Sequence, residues 1–220
     1  MTSYSVEARN LAVFFRKKPL FSNLSFSIKS GEILKIIGAN GSGKTTLLRV
    51  IAGLTPPSEG KIITNVHSLN NINLTFIPVI PPLKSNLRVF EQLHLWLLLK
   101  GELISSARLK SLQRLKKILA HFKLENLWDT PVCYLSAGQR QSLNLCQLFL
   151  KHTPIWILDE PFAHLDTQQI NIFCTLIKSH ILQKGLIITA FPQDSQLILG
   201  TPLYLEQHKP MLIIRDNNQW

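Results

Sequence analysis

Gly38-Ala39-Asn40-Gly41-Ser42-Gly43-Lys44-Thr45 fits G-x-x-x-x-G-K-[ST], a loop that cradles phosphate, and its flanks fit as well. Ahead of it, Ile33-Leu34-Lys35-Ile36-Ile37 reads as a short buried strand; behind it, Thr46-Leu47-Leu48-Arg49-Val50-Ile51 opens a helix. The glycines let backbone N–H groups converge on phosphate oxygens without a Cβ in the way. The helix N-terminus adds a field that favours anions. Lys44 is expected to reach the β- and γ-phosphates and the Thr45 hydroxyl to ligate Mg²⁺, so the expected phosphate site runs from Gly38 to Thr46.

Around this loop the chain alternates strands and helices. Residues Ala8 to Phe15 and Leu24 to Ile28 read as two antiparallel strands with Lys17-Lys18-Pro19 near the turn. Pro56-Pro57-Ser58-Glu59-Gly60 ends the loop's helix, Lys61 to Thr64 starts a strand, and Leu74 to Ile77 is another. Helices are expected over Val89 to Leu99, Ser106 to Phe122 and from Ser136 to about Leu150; Leu109, Leu112, Leu115, Leu119 and Phe122 have the spacing of a core stripe. The continuous apolar runs Ile155 to Leu158 and Leu186 to Ala190 read as strands buried on both faces, separated by a helix over Ile170 to Gln183. The tail Pro202 to Ile214 reads as two short strands. The pattern predicts an α/β P-loop NTPase: a mostly parallel sheet, an antiparallel β subdomain and an inserted helical subdomain. One domain should span 1–220, with the helical insertion at about 83–150.

A phosphate loop alone does not choose between kinases, GTPases and motor ATPases; two further motifs do. Ile155 to Leu158 ends in Asp159-Glu160, carboxylates delivered to the C-terminal edge of a strand, where open α/β sheets bind ligands. Asp159 can hold Mg²⁺ and Glu160 can polarise an attacking water. The second motif is Leu135-Ser136-Ala137-Gly138-Gln139, ahead of that pair, with Asp166 behind it.

In this order and spacing the motifs resemble those of the ABC-transporter ATPases, over about Leu11 to Phe191. The resemblance implies an ATP-dependent homodimer with two nucleotides at its interface, Mg²⁺ beside each, and Ser136 and Gly138 of one copy facing the phosphate loop of the other. A helix N-terminus carrying a hydroxyl and a bare glycine N–H is a reasonable second anion site. Phe15 matches the family's adenine-stacking aromatic, though Phe14 and Phe15 could equally be core residues. The resemblance breaks at two positions. Ile80, in Val79-Ile80-Pro81-Pro82, stands where the family has a glutamine, and Phe191, in Ala190-Phe191-Pro192, stands where it has a histidine. An apolar side chain cannot hydrogen-bond a phosphate, so slow rather than absent hydrolysis is expected, with Lys44 and Glu160 intact.

Within the family, Leu20-Phe21-Ser22-Asn23-Leu24-Ser25-Phe26 before Gly31-Glu32, the segment Leu135 to Arg140, and Trp156 to Phe162 look like those of the haem-exporter ATPases of cytochrome c biogenesis. That implies a peripheral subunit on the cytoplasmic face of the inner membrane, bound to integral membrane subunits. ATPase subunits for a metal, lipid or small peptide, and soluble ABC proteins acting on ribosomes or DNA, are the alternatives. A nucleotide kinase has no place for the LSAGQ segment or Asp159-Glu160. Nothing in the chain predicts direct haem binding: His152, His164 and His180 are expected at the surface.

Composition agrees. At 220 residues and 45% hydrophobic content the chain can bury a substantial core. No apolar run reaches the roughly 18 residues that would span a bilayer. Met1 to Asn10 has no apolar heart and so does not read as a secretory signal, which points to a cytosol-like compartment. Cys133, Cys146 and Cys174 are expected as buried thiols. The net charge of +11 fits lipid head groups, nucleic acid or plain solubility, but no aromatic-interleaved basic patch supports nucleic acid. Lys100, Arg108, Lys110, Arg114, Lys116, Lys117 and Lys123 are expected to form a solvated helix face ahead of a dedicated partner site.

Overall fold

The computed structural model describes residues 3–16, 18–65, 74–101, 108–192 and 196–208, with the backbone alone at 108–111. Three apolar runs form the centre of a five-stranded sheet: β3 (Ile33–Ile37), β6 (Ile155–Asp159) and β7 (Leu186–Phe191). With β5 (Leu74–Ile77) and β8 (Thr201–Tyr204) at the edges, the order is β5-β6-β7-β3-β8 and every pairing is parallel. Parallelism puts the C-terminal ends of β3, β6 and β7 on one sheet edge, so the phosphate loop, Asp159-Glu160 and Phe191 emerge side by side.

Both faces of this sheet are covered, which is why its strands are continuously apolar. Along β6, Ile155 and Ile157 pack with Leu47, Leu48 and Ile51 of α1 (Lys44–Ile51) and with Phe21 and Leu24. The intervening Trp156 and Leu158 join the opposite core with Leu93, Leu119, Leu143 and Phe173. A separate antiparallel sheet, order β2-β1-β4, consists of β1 (Ser5–Phe15), β2 (Lys18–Lys29) and β4 (Glu59–Thr64). Between β5 and β6 the chain forms α2 (Val89–Leu99), α3 (Arg108–His121), α4 (Ala137–Leu145) and α5 (Gln147–Leu150); α6 (Thr167–Leu182) joins β6 to β7.

Several expectations are corrected. The helix expected from Ser136 to Leu150 is broken at Cys146, whose N–H is shared between the Ser142 and Leu143 carbonyls. The first of the two expected tail strands is β8; after it the chain makes a 3₁₀ turn over Leu205–His208, and the remainder of the expected second strand, residues 209–214, lies outside the described residues. In α3, Leu115 and Leu119 are core but Leu112 is 37% exposed; the Leu109 side chain lies outside the described residues. Lys100 is not part of a solvated face: its ammonium is drawn inward to the Gln147 carbonyl (2.9 Å) and the Thr75 hydroxyl (3.2 Å). Burial, reinforced by Lys151, lowers its pKa to about 8. His180 is buried rather than superficial, because its flat ring stacks on the Trp156 indole at 3.7 Å and 11°. Of the thiols Cys146 is buried, whereas Cys133, on a 3₁₀ turn, is exposed.

Candidate nucleotide site

A cleft of about 370 Å³ opens at the C-terminal edge of the parallel sheet. Asn40, Gly41, Gly43, Lys44, Thr45 and Thr46 line it from the loop, Glu160 from the end of β6, and Leu20 from β2. Gly43 precedes α1 with φ 102°, a conformation that glycine adopts without strain. No side chain caps α1, so the N–H groups of its first turn point into the cleft's mouth without an intrahelical partner.

Lys44 is 5% exposed, and its Nζ donates to the Gly38 carbonyl (2.7 Å) and the Ala39 carbonyl (3.1 Å). Glu160 Oε1 lies 4.0 Å away, too far to neutralise the ammonium fully. The Thr45 hydroxyl donates to Asp159 Oδ2 at 2.8 Å. Asp159 is almost wholly buried. Burial pushes its carboxyl above the ordinary range; the Thr45 hydroxyl pulls it back, Glu160 adds to the rise, and Lys44 and the Val79 N–H oppose it. A hydroxyl and a desolvated carboxylate side by side have the donor chemistry of a magnesium site, which takes one or two such oxygens plus phosphate and water. Glu160 sits at φ 46°, strained for a non-glycine residue, with its N–H bonded to the Ala190 carbonyl at 3.2 Å.

Ser136 and Gly138 do not line this cleft. Ser136 caps α4: its hydroxyl accepts from the Gln139 N–H (3.2 Å) while its own N–H donates to Gln139 Oε1 (2.9 Å). Gly138 must be glycine for a packing reason, since a Cβ there would lie 2.6 Å from the His164 carbonyl oxygen. Phe15 is 62% exposed under the Arg16 guanidinium, and Phe14 is also exposed, so neither is a core residue; the Phe15 ring lies outside the cleft lining. The two departures are placed differently. Ile80 is exposed, while Phe191 is buried and stacked on Phe162 at 6.0 Å. Neither lines the cleft.

Sequence reasoning missed four contributors. Leu20 forms a wall, and nothing in its neighbourhood signals it. Glu206, 167 residues further along the chain, accepts from the Ala39 N–H at 3.2 Å. Gln141 and Asn144 are buried amides behind the carboxylates, visible only as polar residues one helical turn apart in α4.

Residues 21–163, well over half the chain, match the model of the ABC transporter family. The chain belongs to that family. As an ABC ATPase it binds and hydrolyses ATP as a transporter subunit. Among its curated relatives is the cytochrome c biogenesis ATP-binding export protein of Methylococcus capsulatus, 36% identical over 77% of this chain and 82% of that one. The protein of the same description from Pasteurella multocida is 33% identical over 94% and 97%. The solved ATP-binding ABC-transporter protein from Pyrococcus furiosus superimposes with a TM-score of 0.78 at 22% identity, covering 94% of this chain and all of that one. An ATP-binding cassette solved as a dimer with ADP and phosphate does so with the same score and identity over 90% and 93%. These last two likenesses establish the fold. Among the described residues no helix is long and apolar enough to cross a membrane.

Proposed function

We propose that this ABC ATPase is the ATP-hydrolysing subunit of an export complex for cytochrome c biogenesis, working as an ATP-dependent homodimer at the cytoplasmic face of the inner membrane against integral membrane subunits. The relatives at 33–36% identity over most of their length support the pathway. The unit is read as one ATPase domain with a helical insertion at about 83–150.

One observation carries the hydrolytic reading: the buried Lys44 ammonium, the Thr45–Asp159 pair and Glu160 converge on one cleft. Gly41, Gly43 and the first turn of α1 would hold the phosphates through backbone N–H groups, with Lys44 against the β- and γ-phosphates. Thr45 and Asp159 would hold Mg²⁺, which supplies charge neutralisation on the transferring phosphate. Glu160, part exposed and free of a capping role, would take the proton of the attacking water. Ser136 and Gly138, absent from their own cleft, would face the nucleotide of a second copy, and the exposed Phe15 would offer a face to adenine. Because Ile80 and Phe191 supply no polar group, turnover should be slow.

The experiment is ATP hydrolysis by the complex purified from detergent-solubilised membranes, with Glu160→Gln as control. Slow, Glu160-dependent turnover and co-purifying multi-span haem-handling proteins are expected. Turnover indifferent to Glu160 would overturn the catalytic assignment, and co-purification with ribosomes would overturn the transporter assignment.

A further inference from the structure

Behind the carboxylate pair runs a row of buried amides that hydrolysis as described does not use. Gln141, Asn144 and Gln147 recur at every third position along α4 and α5, and all three are buried. Gln147 Nε2 donates to Asn144 Oδ1 at 2.8 Å, and Asn144 Nδ2 reaches Gln141 Oε1 at 3.4 Å. Each of the first two amides also spends a donor on the catalytic edge. Gln141 Nε2 donates to the Pro161 carbonyl at 3.0 Å, and Asn144 Nδ2 donates to the Pro78 carbonyl at 3.1 Å.

Those two carbonyls matter because of what is attached to them. Pro161 directly follows Glu160, whose backbone is held in the left-handed region at φ 46°. A strained turn keeps its shape only where the surroundings over-determine it, and the Gln141 bond is one such restraint. The Pro78 carbonyl belongs to the same peptide unit as the Val79 N–H, whose dipole favours the ionised form of the Asp159 carboxylate. Asn144 thus clamps one side of a rigid peptide plane whose N–H acts on Asp159. At its N-terminus the same α4 carries Ser136 and Gly138.

We propose that Gln141 and Asn144 are positioning residues for ATP hydrolysis, fixing Glu160 and Asp159 against the body of α4. Since α4 begins at the residues assigned to the partner copy's nucleotide, this ladder links occupancy of one site to the carboxylate geometry of the other. The inference rests on the hydrolytic reading above. Neither amide touches the cleft, so neither should contribute to ATP affinity.

The test uses Gln141→Met, which keeps length and loses the donor, and Asn144→Ala, alone and combined, in the full chain. Binding of a fluorescent ATP analogue without Mg²⁺ reports folding and affinity, and steady-state turnover gives kcat and KM. The expected result is affinity within about twofold of the unsubstituted protein and kcat down about tenfold in each single variant. The double variant should fall little further, because the two act through one ladder. Unchanged kcat in a variant that binds ATP normally overturns the proposal. A loss of kcat matched by an equal loss of nucleotide-binding molecules also overturns it, since that is what a purely structural amide would give. Should Gln141→Met fail to fold, Asn144→Ala decides by the same readouts. If the unsubstituted protein shows no Glu160-dependent turnover, the hydrolytic reading fails instead, on its own control.

Discussion

At the scale of single residues, charge and desolvation decide what each group can do. Lys44 is buried, hydrogen-bonded to two carbonyls and paired with Glu160 only at the long distance of 4.0 Å, which leaves its charge available to phosphate. Removing a charge-assisted contact typically costs about 1.5–3 kcal/mol. Lys44→Ala should therefore weaken ATP binding about ten- to a hundredfold in an equilibrium binding assay while leaving the fold intact. Glu160→Gln should instead leave ATP binding unchanged and cut turnover about 10²–10⁴-fold, the usual contribution of a general base. Lys100 makes a different prediction. Its folded pKa is about 8 against an ordinary 10.5, so below about pH 8 both folded and unfolded states carry the proton and the burial penalty is constant. Between about 8 and 10.5 the unfolded state still holds a proton that the folded state has released, so stability from this group rises with pH. Denaturant titrations from pH 7 to 10 should show that rise, and Lys100→Met should abolish it.

Elements were legible in the sequence wherever one physical rule dominated. β3, β6 and β7 could be read because burial on both faces leaves no polar alternation to confuse them. α2 fell on the expected residues, Val89–Leu99. The start of α4 was legible because Ser136 and Gln139 cap each other. Where two rules competed, the reading failed. The break at Cys146 has no proline or glycine to announce it, and the Trp156–His180 stack pairs residues that only the tertiary fold brings together. The same holds for the site: its loop and carboxylates are contiguous motifs, whereas Leu20, Glu206 and the α4 amides reach it only through packing. Ser136→Ala should cost about 1 kcal/mol of stability, read as a lowered melting temperature, since it strips the cap from α4. His180, held neutral by burial with its pKa lowered to about 4, should take up its proton only on unfolding as pH falls from 6.5 toward 4. Stability should drop through that window, and His180→Phe, which keeps a ring on Trp156, should flatten it.

For the whole molecule, the separation of Ser136 and Gly138 from their own cleft makes self-association the central expectation. In Glu160→Gln, which binds without turning over, ATP should shift sedimentation from monomer to dimer. Ser136→Glu should prevent that shift by setting a carboxylate against the partner's phosphates, while the monomer still binds ATP. A dimer unaffected by Ser136→Glu would remove the head-to-tail arrangement. The topology carries one more consequence. The strand that launches the phosphate loop, β3, lies between β7 and β8, both formed from the last part of the described chain. On the ribosome, β3 must wait with both hydrogen-bonding edges bare until Leu186–Phe191 emerges, and with one bare until Thr201–Tyr204 follows, a long-range closure that is slow and exposed to mispairing. Nascent chains stalled ahead of Thr201 should fail to retain ATP and should recruit chaperones.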